Sequence, residues 1–210
     1  CTRSSYQEVG GRLMTRSVIQ LGGQALKLDA DGDTTIQVSS DDVLIVDTAG
    51  NEALKIDANG HITNALQPCF FAKKNSDTAD VAVNSAVAVV FDSEIFDQNA
   101  DFDTSNGTFT APITGRYYLS ASMYVGAMPN DANYCLMELV ASNRSHMDIF
   151  RSQAGDAEWT YHSFKVATLM DMDAGDTAKV NFYMPNGTQS VDITGNSTHS
   201  HTSFSGHLVA

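Results

Sequence analysis

Cysteine, proline and positive charge are all scarce in this chain. Three cysteines and four prolines occur in 210 residues. Cys1, Cys69 and Cys135 lie far apart, so no pair has the close spacing of a zinc site and no even set suggests a disulfide framework. Two buried thiols and one terminal thiol are expected. The sequence begins at Cys1 rather than Met and so reads as processed or incomplete, a mature lipoprotein with an acylated first cysteine being the alternative. Twelve Lys+Arg stand against 25 Asp+Glu, a formal net charge of -13. With no basic cluster, binding to nucleic-acid backbones is excluded as a main role, because it needs local positive charge. No apolar run approaches the ~18 residues of a membrane span.

At 42% hydrophobic the chain is nonetheless too apolar for a disordered polymer. Its length suits one domain and a smaller extra segment. Residues 1–24 show no clean period. Gly10-Gly11 and Gly22-Gly23 bracket a short apolar stretch and make a stable helix unlikely there, so this segment is read as an attachment arm.

Residues 25–66 contain an internal repeat. Leu26-Lys27-Leu28-Asp29-Ala30-Asp31-Gly32 recurs as Leu44-Ile45-Val46-Asp47-Thr48-Ala49-Gly50 and as Leu54-Lys55-Ile56-Asp57-Ala58-Asn59-Gly60. Apolar residues two apart share one strand face. The Asp can bond its own backbone at a turn, and Gly supplies the positive φ that closes it. Each unit therefore predicts a short strand and a tight turn. About forty such residues have too little apolar surface to fold alone, which predicts a β shaft shared by several chains, or else a meander packed on the main domain.

Residues 67–210 alternate with period two and almost never with a helical period. Leu119, Ala121, Met123 and Val125 share one face. So do His162, Phe164, Val166 and Thr168, then Ala178, Val180, Phe182 and Met184, then Phe204, Gly206 and Leu208. Turn signals at Asn106-Gly107, Ala174-Gly175-Asp176 and Asn186-Gly187 separate these runs. Many short strands at this spacing predict an all-β sandwich or jelly roll.

Within this segment, Gly107-Thr108-Phe109-Thr110-Ala111-Pro112-Ile113-Thr114-Gly115-Arg116-Tyr117-Tyr118-Leu119 carries a Gly-x-Phe-x-x-Pro-x-x-Gly-x-Tyr run. Pro68 to Ala72, Leu169 to Val180, and Ser203-Phe204-Ser205-Gly206-His207-Leu208 flank it in order. Together these resemble the C1q-like head, a relative of the tumour necrosis factor jelly roll. His207 stands where that family usually has a second aromatic. The resemblance implies a ten-stranded jelly roll assembled as a homotrimer, with the final strand near the three-fold axis. It also implies core or trimer-interface roles for Phe109, Pro112, Gly115, Tyr117, Leu119, Phe204, Gly206 and Leu208. Gly206 inside a strand suggests close approach of another backbone. The repeat has no collagen-like Gly-X-Y period. It resembles fibre and appendage proteins of tailed bacteriophages instead.

Chemistry-bearing candidates are few. His199-Ser200-His201 places two histidines two apart, facing the same way if on a strand, and in a trimer three such pairs make a candidate transition-metal site on the axis. Otherwise this is a polar surface loop. Asp29-Ala30-Asp31-Gly32-Asp33 superficially resembles a calcium loop, but its Gly is misplaced and no Glu follows. Asp171, Asp173 and Asp176 read as turn residues, so calcium enters only through the C1q-like resemblance. Trp159, Tyr161, Tyr124 and Tyr134 are candidate receptor or glycan anchors, with core or subunit contact as the other reading. No nucleophile elbow, phosphate loop or metalloprotease helix occurs.

The sequence thus reads as a non-enzymatic trimeric virion protein. It is a fibre or capsid decoration on the virion surface, joined to a capsid or tail protein by its arm and displaying its head to a host receptor or glycan. The alternative is a secreted C1q-like ligand or pattern-recognition lectin, and a third reading is a fibre-borne glycan depolymerase.

Overall fold

The computed structural model describes residues 24–129, 132–150, 159–186 and 190–210. The expected arm, apart from its last residue, and Cys1 lie outside these. No helix occurs among the described residues, so none is long and apolar enough to cross a membrane. The chain divides after Asn64 into two compact units.

In the first unit β1 (Leu26–Lys27), β2 (Thr35–Ser40), β3 (Val43–Thr48), β4 (Asn51–Ile56) and β5 (Ile62–Thr63) form an antiparallel meander in chain order. Directly opposed residues share a face. One row across the sheet is Leu26, Ile36, Val46 and Leu54, and the next is Val38, Leu44, Ile56 and Ile62. Every member of both rows is apolar. The opposite face carries Lys27, Thr35, Asp47 and Glu52, with Gln37, Ile45, Lys55 and Thr63 beside them.

The repeat is visible in the turns. Gly32, Gly50 and Gly60 all have positive φ, at 79°, 73° and 84°. Asp29 Oδ1 accepts from Gly32 N at 2.9 Å, and Asp57 Oδ1 accepts from Asn59 N at 2.8 Å, as turn carboxylates do. Asp47 departs from the expectation. It lies within β3, where its Oδ2 accepts from Thr35 Oγ1 and Gln37 Nε2, each at 2.8 Å. The units are also not simply tandem, because β2 intervenes between the first two copies.

The second unit is a sandwich. Its strands are β6 (Cys69–Lys73), β7 (Thr78–Val81), β8 (Val87–Ala88), β9 (Ser93–Asp97), β10 (Phe102–Asp103), β11 (Thr108–Thr110), β12 (Gly115–Met128), β13 (Cys135–Ala141), β14 (Ser145–Phe150), β15 (Trp159–Met172), β16 (Thr177–Tyr183), β17 (Val191–Ile193) and β18 (Ser203–Leu208). One sheet runs β7-β17-β12-β18-β6-β9, with β15 along the other side of β12. The second runs β10-β11-β16-β13-β14, with β8 also on β16. These are thirteen strand segments among the described residues rather than ten. The excess lies in pieces of two or three residues such as β8, β10, β11 and β17, where turns and a register shift at Val191 interrupt the ladders.

Period-two alternation builds the core between the sheets. Along β12, Tyr117, Leu119, Ala121, Met123 and Val125 are buried, and Ala178, Val180 and Phe182 are buried on β16. Phe70 stacks on Phe102 and Phe109 at 5.0 and 4.7 Å and meets the edge of Phe204 at 5.0 Å. Phe109, Tyr117, Leu119 and Phe204 are thus core residues of a single chain, whereas Pro112 is exposed in the turn before β12. Gly206 is constrained differently from the expectation. A Cβ there would meet the side chains of Leu119 and Phe70, at 2.5 and 2.7 Å, and not another backbone. Gly115 is crowded by Leu208 Cδ1 at 2.6 Å and Ala210 O at 2.9 Å. Cys135 is buried and its thiol is pushed up to about 12 by desolvation, while Cys69 is half-buried rather than buried.

Candidate functional site

The residues that alternate with the core form the outer face of the seven-stranded sheet. β12 presents Tyr118, Ser120, Ser122 and Tyr124, and β18 presents Ser203, Ser205 and His207 beside them. On the far side β15 presents Tyr161, Ser163, Lys165, Ala167 and Leu169, all exposed. Small hydroxyls fill the centre, and Tyr161 and Leu169 stand 57% and 58% exposed at either end. Through its middle this face is made of small side chains with Lys165 as the exposed charge, and aromatic rings stand toward both ends. That is the character of the core of an interaction surface rather than of a solvated one.

A column of rings runs across one end. Tyr124 stacks on Tyr161 with centroids 5.2 Å apart and planes 7° apart. His201 stacks on the same Tyr124 at 5.2 Å, and His199 on His201 at 5.4 Å. Tyr118 and His207 form a second pair at 5.6 Å. Trp159 begins β15, but its side chain lies outside what is described, and Tyr134 is half-buried in the approach to β13.

The histidines lie off any strand, as in the polar-loop alternative. They occupy the bend before β18, and that bend is held by three residues the sequence reading passed over. Lys73 is 6% exposed, and its Nζ donates to Asn196 O and Ser197 O at 3.2 and 2.8 Å. Asn196 Oδ1 accepts from the backbone N–H groups of Thr198 and His199, each at 2.8 Å. Thr202 is fully buried, donating to Thr194 O at 2.6 Å and accepting from Tyr124 N at 3.0 Å. A Lys, Asn or Thr inside a polar run gives no periodic signal, so only the fold reveals these anchors.

Metal candidates separate in the structure. His199 and His201 are adjacent, but no third His, Cys, Asp or Glu joins them within one chain among the described residues. A metal there would need ligands from several copies. Asp29, Asp31 and Asp33 do bring their carboxylates within 4.8 Å of one another, all exposed. Asp29 is already engaged by its own turn, and hydrogen bonding to Thr34, foremost, and to Gly32 holds its carboxyl down at about 2, against an ordinary 3.8. Asp33 is pushed up by desolvation and by the charge of Asp29. A depressed carboxyl supports the turn fully above pH 3.8, and that support fades as pH falls toward 2. Carboxyl-carbon NMR titration is therefore expected to give Asp29 a midpoint near 2 and Asp33 one above the usual range, and equal midpoints would refute the turn geometry.

The other acidic candidates have structural partners. Asp171 lies in β15, not in a turn, and pairs with Arg144 at 2.8 Å. Asp176 Oδ2 accepts from Asp173 N at 2.9 Å across the Ala174-Gly175 turn.

No curated protein is matched by this chain. The structure is similar to the globular domain of zebrafish complement 1qA protein, with 16% identity and a TM-score of 0.49, covering 69% of this chain and 98% of that one. It is similar as well to murine APRIL at pH 5.0, with 11% identity and a TM-score of 0.47, covering 68% of this chain and 99% of that one. The description of the C1q domain matches residues 69–209, the stretch that carries the Gly-x-Phe-x-x-Pro-x-x-Gly-x-Tyr run, the aromatic core and the outer face. The chain belongs to the C1q domain family.

Proposed function

We propose that this chain is a non-enzymatic recognition protein that works outside cells as a homotrimer, its C1q head displaying a binding surface for a receptor or glycan. The observation that carries the reading is the outer face of the seven-stranded sheet. Serines at its centre allow close approach, the Tyr118–His207 and Tyr124–Tyr161 pairs supply area, and Lys165 is the exposed charge across its middle. A heterologous contact that closes after three copies joins such faces around an axis with β18 near it. Three heads on one axis then multiply weak ligand contacts through effective concentration.

Ser205, at the centre of β18, tests this. Its side chain lies outward, with Oγ donating to Ser120 O at 3.3 Å. Ser205→Arg places a charge in the proposed contact and is expected to weaken the trimer, so that its mass in sedimentation equilibrium falls on dilution where the parent's does not, with the β-type circular dichroism unchanged. A variant trimer as resistant to dilution as the parent would remove this face from the assembly.

A second reading, a fibre or decoration fixed to a virion, is favoured by the apolar rows of the first unit and by the phage-like repeat. It differs from a freely secreted ligand in where the protein is found. Immunodetection in density-purified particles supports the fibre, and recovery only from particle-free medium supports the secreted ligand.

A further inference from the structure

We propose that the apolar face of the 24–64 meander is a second surface on which copies of this chain meet, three such faces closing a dry, three-sided stem. The inference rests on the trimeric reading above. Both cross-strand rows of that face are entirely Leu, Ile and Val, while Lys27, Asp47, Glu52 and Lys55 all fall on the other face. The other face is already satisfied by its own network around Asp47. The apolar one is open, with Val38 56% and Ile62 62% exposed.

Size decides what can cover it. Three strands of six residues and two strands of two residues, about 4.8 Å apart with about 3.3 Å per residue, make a face on the order of 350 Å². That is the size of the largest apolar patch of a typical monomer, and among the described residues of this unit there is no second layer to bury it against. Three such faces turned inward cover on the order of 1,000 Å², about the least that a specific interface needs. The absence of charge on the face leaves nothing with which to select an unlike partner. A second and third copy bring equal apolar faces by symmetry, and a trimeric head supplies those copies on the same chains.

Pyrene attached at Val38→Cys, at Ile62→Cys and, on the opposite face, at Lys55→Cys tests this in the full-length chain, with the unsubstituted chain as labelling background. The expected result is a trimer by sedimentation whose emission shifts to the excimer band for the first two sites and not for the third. A trimer with no shift at Val38 or Ile62 overturns this inference alone, and is what coverage by residues 1–23 or by an unlike partner would give. A monomer with no shift overturns the trimeric reading as well.

Discussion

Phe70→Ala is expected to cost about 3–5 kcal/mol of stability. The ring is 1% exposed and belongs to the second residue of β6, the strand between β18 and β9. It stacks nearly parallel on Phe102 and Phe109, at 14° and 16°, and receives the edge of Phe204 at 81°. Such ring pairs contribute about 0.5–1.5 kcal/mol each beyond their buried area. Ala would leave a ring-sized cavity lined by three other rings that are held on different strands and cannot collapse together. Since domains of this kind are stable by roughly 5–15 kcal/mol, the loss is a large share of the total. Urea unfolding is expected to show a lower midpoint at unchanged slope. The neighbouring Phe71→Ala, half-buried on the outer face, is expected to cost much less. Equal effects at the two positions would contradict the assignment of faces on β6.

Gly195→Ala is expected to destabilise by about 3 kcal/mol, at the upper end of overpacking costs. A Cβ at Gly195 would lie 2.5–2.6 Å from C, O and N of Ser76. Backbone cannot swing aside as a side chain can, so one of the two segments must move. Gly195 N donates to Asp77 Oδ1 at 2.7 Å, and that bond ties the same two segments together. The damage should also reach the outer face, because Gly195 leads into the bend that carries His199 and His201. Weakened ring-current shifts at His201 and Tyr124 in NMR, together with a lowered melting temperature, are the expected pair of results. Gly206→Ala is the milder comparison, since the ends of the Leu119 and Phe70 side chains are what it meets. A Gly195→Ala variant as stable as the parent would show that residues 76 and 195 are not in contact.

The two glycines also show what the sequence could and could not reveal. Gly206 was legible as a close-approach position because it interrupts an alternating strand. Gly195 sits in a polar run without period, so its contact with Ser76 exists only once β7 and β17 have paired. Strands with one polar and one apolar face, such as β12 and β16, were readable from parity alone. β13 was not, because Cys135, Met137, Leu139 and Ala141 alternate with Leu136, Glu138 and Val140, and an apolar residue on both faces blurs the period. β2 was missed for the opposite reason, its Gln37 and Ser39 leaving only Ile36 and Val38 to mark a face. Three glycines marked the turns of the repeat correctly, but Asp47 was misplaced because an Asp can serve a neighbouring strand as well as its own turn. The ring column is the clearest case of a site hidden from sequence. His201, Tyr124 and Tyr161 come from three distant segments that meet only when β15 and the bend before β18 both flank β12.

The central claim is that a C1q head with this outer face works as a trimer. Sedimentation equilibrium of the full-length, unsubstituted chain tests it most directly. The expected mass is three times the 22.6 kDa of one chain, unchanged on dilution through the micromolar range. A mass of one chain across that range would contradict the account and leave the outer face without a partner.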